Sequence, residues 1–361
     1  RPRWRATVKL PASRMVELRR RGGTVIVVNP LKELGLVRFR IPSQTMSLLF
    51  GSNVSDIYIQ PHIGTDVAVF KAILKGVIET DGADADFLRE RVEGWEAVEE
   101  DVRSTSWETL LECCGVPRSQ IDAAAAAISR ANHGILLWAM GLTHHANGVD
   151  NIAALANIAL ARGWLGGRGR GLLPIRGHSN VQGVGSVGFT PALKEAFARK
   201  MEETYGIPSE PNGLDTYGSM LAAEEGRIRA AVLLGGNLWA SNPDLDWAGD
   251  AMQKIGTTAH ITTKLNLGHI HGRGKVNLLL PVLARDEEKQ ATTQESMFNF
   301  VRLSDGGAPP PTADIRSEVE VITALAARVL PPGPFPFEKM GDHRAIREVI
   351  ADVVPGFEEI A

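Results

Sequence analysis

The chain has 361 residues, 44% of them hydrophobic and 22% charged, with a formal net charge of −3 at pH 7. These are the proportions of an ordinary globular protein in water, and a balance so close to neutral gives no electrostatic reason to expect nucleic acid as a partner. No apolar run approaches the roughly 18 residues of a membrane helix, and the basic, polar start lacks the apolar core of a secretory signal, so a cytoplasmic protein without a membrane partner is expected.

The length suits two or three domains. Residues 12–21 carry apolar side chains at helical spacing and lead into "TVIVV" (24–28), ended by Asn29-Pro30. Such a continuous β-branched run predicts a strand buried on both faces of a parallel sheet. Helix and strand together look like part of an α/β unit whose first strand lies outside the chain, as in a portion of a longer protein. "VSDIYIQ" (54–60) predicts a second strand, and "GTDVAVFKAILKGVIETDG" (64–82) a Thr/Asp-capped amphipathic helix stopped by Gly82. Residues 84–132 read as helices punctuated by Pro117, with adjacent Cys113 and Cys114 as small buried hydrophobes, because neighbouring cysteines suit neither a disulfide framework nor a metal cluster.

Further along, "GILLWAM" (134–140) predicts a buried strand, "GLTHHANGVDN" a polar loop, and "IAALANIALARGWL" (152–165) a helix. A glycine- and proline-rich crossing (166–188) precedes a helix near 191–204, then strand 228–237, helix 243–255, strand 257–263 and strand 276–281. After "GGAPPPTAD" (306–314), a disordered-looking linker, a helix over 317–330 follows. This alternation predicts an α/β protein of two doubly wound, Rossmann-like lobes, divided into 1–178 and 179–361, with ligands at the carboxyl ends of the strands.

Five turns fall at predicted strand ends: Asn29-Pro30, Gly64-Thr65-Asp66, Met140 to His145, Gly235-Gly236-Asn237 and Thr262-Thr263-Lys264. Glycine lets backbone amides approach a phosphate, although any one of these is also an ordinary tight turn, and none matches a nicotinamide or P-loop fingerprint. Arg176, beside Gly177 and ahead of Asn180 and Gln182, offers a permanently charged fork for an anionic ligand; an ion pair between lobes is the plainer alternative. His144 and His145 are sequence neighbours and His269 and His271 alternate, so no set of three or four converging metal ligands is expected. The residues by themselves give a two-lobed protein with an anion-binding crevice and no particular reaction.

The run "WAMGLTHHANGVDNIAALANIALARGWLGGRGRGLLPIRGHSNVQGVGSVG" (138–188) resembles the centre of the molybdopterin oxidoreductases of the formate dehydrogenase type. "GGTVIVVNPLKE", "GTDVAVFKAIL", "DFLRERVEGWEAVEED", "SEVEVITALA" and "VVPGFEEIA" extend the resemblance from about residue 12 to the end, over what look like the family's two middle domains. It implies a bis-molybdopterin guanine dinucleotide cofactor on molybdenum or tungsten, each dinucleotide held by one lobe. It further implies dinucleotide contacts from Asn29, Pro30, Gly64, Thr65, Asp66, Met140, Gly141, His144, Gly177, Gly236, Asn237, Thr262 and Thr263. Arg176 would orient a small anionic substrate such as formate, with electrons leaving to an acceptor protein or subunit.

The chain departs from the family where Asn29-Pro30-Leu31 replaces the frequent Asp-Pro-Arg and where His144 replaces a common glutamine. The family's metal ligand, a 4Fe-4S region and a closing barrel fall outside this stretch, so the isolated chain is expected to be inactive. Two other classes fit parts of the pattern, a thiamin-diphosphate- or dinucleotide-type α/β enzyme domain and a non-catalytic binding module on the same fold.

Overall fold

A computed structural model describes residues 13–41, 44–191, 193–208, 213–296, 300–310 and 312–361. The backbone divides into two compact units, Arg1–Gly177 and His178–Ala361. Both are mixed α/β with parallel strand pairing.

In the first unit, strand β1 (Ile26–Val28) leads into a small excursion of β2 (Arg38–Phe39) paired antiparallel with β3 (Ser52–Asn53), and the chain returns through β4 (Ile57–Ile59), which runs parallel to β1. A second parallel pair joins β5 (Ile135–Trp138) to β6 (Gly171–Pro174) in the register Ile135↔Gly171 to Trp138↔Pro174. Both pairs lean on one core, built on the helix Asp66–Glu79, whose Val69, Phe70, Ile73, Leu74, Val77 and Ile78 are all buried. Gly76 lets that helix meet the helix Arg118–Arg130, since a Cβ there would lie 2.7 Å from the Ala125 methyl. Lys75 is buried because it caps a neighbour: its Nζ donates to the carbonyls of Val102 (3.2 Å) and Arg103 (2.9 Å) at the end of the helix Trp95–Ser104.

The second unit holds β7 (Ala230–Leu234), β8 (Thr257–Thr262) and β9 (Val276–Pro281), all parallel in the order β7-β8-β9. Right-handed crossovers between strands taken in sequence put their connecting helices on one face. Ala231 and Leu233 accordingly pack against Met220, Ala223, Ala248, Ala251, Met252 and Ile255, while Val232 and Leu234 on the opposite face are 54% and 52% exposed. An antiparallel hairpin, β10 (Thr292–Glu295) with β11 (Val301–Ser304), and the helices Glu318–Val329 and His343–Val353 complete the unit. The first of these helices opens on a capping box, with Ser317 Oγ accepting from Glu320 N–H and Glu320 Oε2 accepting from Ser317 N–H.

Several expectations are corrected. The strand at 24–28 is not buried on both faces, because its residues 26–28 are only half-buried, and Ile135 and Leu137 of β5 are 48% and 51% exposed. Cys113 is exposed, and only Cys114 is buried. Met140, read as the end of a strand, begins the short helix Met140–Thr143. The Gly/Pro-rich crossing contains the strand β6.

Candidate functional site

In the first unit, the predicted turns stand where the parallel strands end. Asn29 N–H extends the ladder to the Ile59 carbonyl at 3.0 Å, and Asn29 Oδ1 then accepts from Leu31 N–H at 2.9 Å, turning the chain out of β1. Beyond β4, His62 is tied to the Cys113–Gly115 turn: its N–H donates to the Cys114 carbonyl at 2.9 Å, and Gly115, at φ +68°, leaves room where a Cβ would lie 2.3 Å from the imidazole. Thr65 Oγ1 donates to the His62 carbonyl at 2.7 Å. Gly64, at φ +84°, faces open space.

Asp66 opens the helix Asp66–Glu79 and is 9% exposed. Burial raises its carboxyl above the ordinary value of 3.8, opposed by the nearby His145 imidazole and by a hydrogen bond to its own backbone. His145 is held by a 3.0 Å hydrogen bond between Nε2 and the Gly141 carbonyl, while Met140, Gly141 and His144 are exposed. Beyond β6, Ile175 N–H continues the ladder to the Trp138 carbonyl at 2.7 Å. Arg176 and Gly177 follow in the open, and Arg176 forms no ion pair with a carboxylate of its own unit among the described residues.

A folded pKa above the unfolded one means that the unfolded state ionises first as pH rises through 3.8, so stability is lost over the window from there up through the folded pKa. Asp66→Asn should therefore make the chain more resistant to urea at pH 7, with the advantage closing as pH falls towards 4. A less stable variant at pH 7 would show that Asp66 is a structural cap and not a buried carboxyl held ready for a ligand.

In the second unit, Gly235 and Gly236 are consecutive left-handed residues at φ +64° and +67°, with nothing within 4 Å of either added Cβ. Asn237 Oδ1 then accepts from Ala240 N–H at 3.1 Å. The β8 exit packs against this turn: a Cβ on Gly268 would lie 2.0 Å from Asn237 Oδ1. Thr262 is buried, and its hydroxyl donates to the Lys264 carbonyl at 3.0 Å, whereas Thr263 is exposed. Asn180 serves the fold: it is a left-handed residue at φ +58° whose Oδ1 accepts from Glu295 N–H at 2.9 Å, anchoring the start of the unit to β10.

Two residues, Asn151 and His260, escaped the sequence reading, and His269 was considered only for metal ligation. Asn151 is completely buried within the helix Gly148–Ala161, and its Nδ2 donates to the Leu142 carbonyl at 3.0 Å. His260 and His269 are both buried, with ring centroids 4.9 Å apart. The "VDN" at a helix start was the one hint for Asn151. Nothing in a strand pattern marks His260 as special. Among the described residues, no group of three or more His, Cys, Asp or Glu is placed to hold a metal ion, and no helix is long and apolar enough to cross a membrane.

No family model matches the chain. An uncharacterized oxidoreductase of Mycobacterium tuberculosis is 32% identical over 354 residues, taking in 94% of this chain and 45% of that protein. Protein YdeP of Escherichia coli is 31% identical over 360 residues, at 94% and 47%. A formate dehydrogenase subunit alpha of Methanocaldococcus jannaschii is 28% identical over 253 residues, at 68% and 35%. The chain thus spans about half the length of the first two relatives. Among solved structures, acetylene hydratase from Pelobacter acetylenicus shares the fold, with a TM-score of 0.55 at 16% identity over 86% of this chain and 44% of that one. Together with the ordered motifs of 138–188, these likenesses make the chain a member of the molybdopterin oxidoreductase family.

Proposed function

We propose that this chain is the cofactor-holding centre of a molybdopterin-dependent oxidoreductase that takes two electrons from formate or a similarly small anion. The observation that carries this reading is Arg176: an exposed guanidinium without a carboxylate partner in its own unit, at the carboxyl end of a parallel strand and next to a glycine. A guanidinium in such a place binds and orients a small carboxylate through paired hydrogen bonds. The name of the methanogen relative supports formate as the first substrate to try.

In this reading, each unit belongs to a doubly wound, Rossmann-like lobe that holds one molybdopterin guanine dinucleotide. The open Gly235–Gly236 turn, with no Cβ in the way, fits a phosphate. Gly64 offers a similar opening, but Asp66 beside it suits hydroxyl, amino or ring N–H donors of a dinucleotide better than a phosphate. The bound group, on molybdenum or tungsten, supplies the two-electron redox chemistry. Arg176 holds the substrate, Asn29, Pro30, Met140, Gly141, His144 and Gly177 line the first unit's strand ends, and Asn237, Thr262 and Thr263 line the second's. The metal ligand, any 4Fe-4S cluster and the surface for an electron-accepting protein or subunit belong to the remainder of a longer cytoplasmic protein, and the isolated chain does not turn over.

The test is elemental analysis of the full-length product, purified from cells supplied with molybdate and tungstate, alongside an assay of acid-released guanosine monophosphate. Metal and nucleotide near a 1:2 ratio, followed by formate-dependent reduction of an artificial acceptor, is the expected result. A folded protein with neither metal nor nucleotide would overturn the enzyme reading.

A further inference from the structure

His260 is unlike its surroundings. The polar groups beneath the β8 exit are otherwise satisfied: Thr258 Oγ1 donates to Asn277 Oδ1 at 2.9 Å and accepts from Gly274 N–H at 3.0 Å, and Asn277 Nδ2 donates to the His269 carbonyl at 3.1 Å. His269 Nδ1 accepts from Asn266 N–H at 3.1 Å, so its proton sits on Nε2. His260 is 6% exposed, and its Nε2 has no hydrogen-bond partner among the described residues.

Leaving a buried polar atom unpaired is destabilising, so native structures seldom do so without water or a ligand at hand. The space next to His260 supplies the room. A cavity of about 10 Å³ lies between the Gly235–Asn237 turn and the 266–272 loop, bordered by His260, His269, Asn266 and Gly268. That is close to the smallest space that admits one water. Burial and the neighbouring His269 push the His260 imidazole below its ordinary value, so at neutral pH the ring carries its proton on one nitrogen only. The remaining nitrogen is left as an acceptor.

We propose that His260 is a binding residue of the second unit, whose Nε2 accepts a hydrogen bond from a single small donor lodged beneath the Gly235–Asn237 turn. That donor is either one ordered water or a hydroxyl or amino group of the ligand resting on the turn. The ligand arm rests on the dinucleotide reading above; the water arm does not. In either case His260 is a positioning residue. It fixes the height of a turn whose two glycines have no side chains to fix it.

The test uses the chain with 15N-labelled histidine, assigned by comparison with His260→Gln, and guanosine monophosphate as the probe. A His260 Nε2 resonance displaced from the free-acceptor position before nucleotide is added, and unchanged by it, identifies the water. A displacement that appears only with nucleotide identifies the ligand donor. A displaced resonance in a chain that binds no nucleotide upholds the water site and counts only against the dinucleotide reading. An Nε2 that stays at the free-acceptor position under both conditions overturns the proposal. Where nucleotide binds, His260→Leu should weaken it about tenfold, the equivalent of one lost hydrogen bond, and His260→Gln, which still offers an acceptor, should recover most of that loss. Equal nucleotide affinity in wild type and the leucine variant would overturn the positioning role.

Discussion

Arg176→Lys in the full-length enzyme should lower kcat/KM for its small-anion substrate by about 100-fold, while metal and nucleotide content stay at wild-type levels. Lysine keeps the charge and loses the fork. Its ammonium is a compact point donor on a flexible stem, whereas guanidinium presents two parallel N–H groups to a carboxylate in one plane. Charge alone would bring the anion to the site; the fork sets the angle at which it arrives. If the role is orientation, Arg176→Ala should lose more than the lysine variant and regain part of its activity when free guanidinium is added to the assay. Unchanged kcat/KM in the lysine variant would show that Arg176 only attracts the anion, and unchanged kcat/KM in the alanine variant would remove it from the site. Because Arg176 is exposed and unpaired within its unit, neither substitution should disturb folding, so a loss of activity is not confounded by a loss of protein.

The strand ends were legible in the sequence because two signals coincide there. An apolar β-branched run stops, and a glycine, asparagine or proline follows at once, as in "TVIVVNP" and "AVLLGGN". β7, β8 and β9 fall within the predicted runs for that reason. The short pairs did not announce themselves. β10 is Thr-Thr-Gln-Glu, without apolar alternation, and its pairing with β11 is carried by the backbone ladder. β6 is four residues long and begins on a glycine, and it exists because β5, more than thirty positions earlier, offers it a parallel edge. No local rule reports a partner that distant. Burial was misread for the same reason: a continuous apolar run says that a strand suits a covered sheet, but not whether the covering lies within the same stretch of chain.

The site divides along a similar line. Turn residues such as Gly236 and Asn237 are read from their neighbours in sequence, because their φ angles and caps are local properties. Asp66 was recognised as a helix-opening residue, whereas its burial, and hence its raised pKa, depends on what packs above it. Asn180 and Gln182, singled out alongside Arg176, show the limit of such reading. Asn180 is consumed in holding β10, which no spacing argument could have distinguished from ligand binding.

Asn151→Leu should cost the chain about 2–4 kcal/mol of unfolding free energy, read as a lower urea midpoint with an unchanged slope. The two side chains share a branched outline, but leucine's methyl groups are bulkier than the amide, so at a fully buried site the loss combines the missing hydrogen bonds with overpacking. Leu142 forfeits its 3.0 Å donor, and Asn147, whose Nδ2 reaches Asn151 Oδ1 at 3.3 Å, forfeits its acceptor. Asn147 precedes the helix Gly148–Ala161 and makes no side-chain cap to a backbone N–H of its first turn, so the Asn151 amide is the side chain that ties both Leu142 and Asn147 to that helix. Asn151→Asp separates the hydrogen bond from the shape. At pH 7 a buried carboxylate would face the Leu142 carbonyl, two acceptors with no proton between them, and the loss should exceed that of the leucine variant. Burial raises such a carboxyl's pKa above its unfolded value, so the penalty is present above the unfolded pKa and relaxes as pH falls through the folded one, when the protonated oxygen can donate to Leu142. The aspartate variant should therefore gain on wild type between pH 7 and 4, a recovery that the leucine variant cannot show. If both variants respond to pH alike, the Asn151 amide is a passenger in the core and the loop carrying Met140, Gly141 and His144 is held by something else.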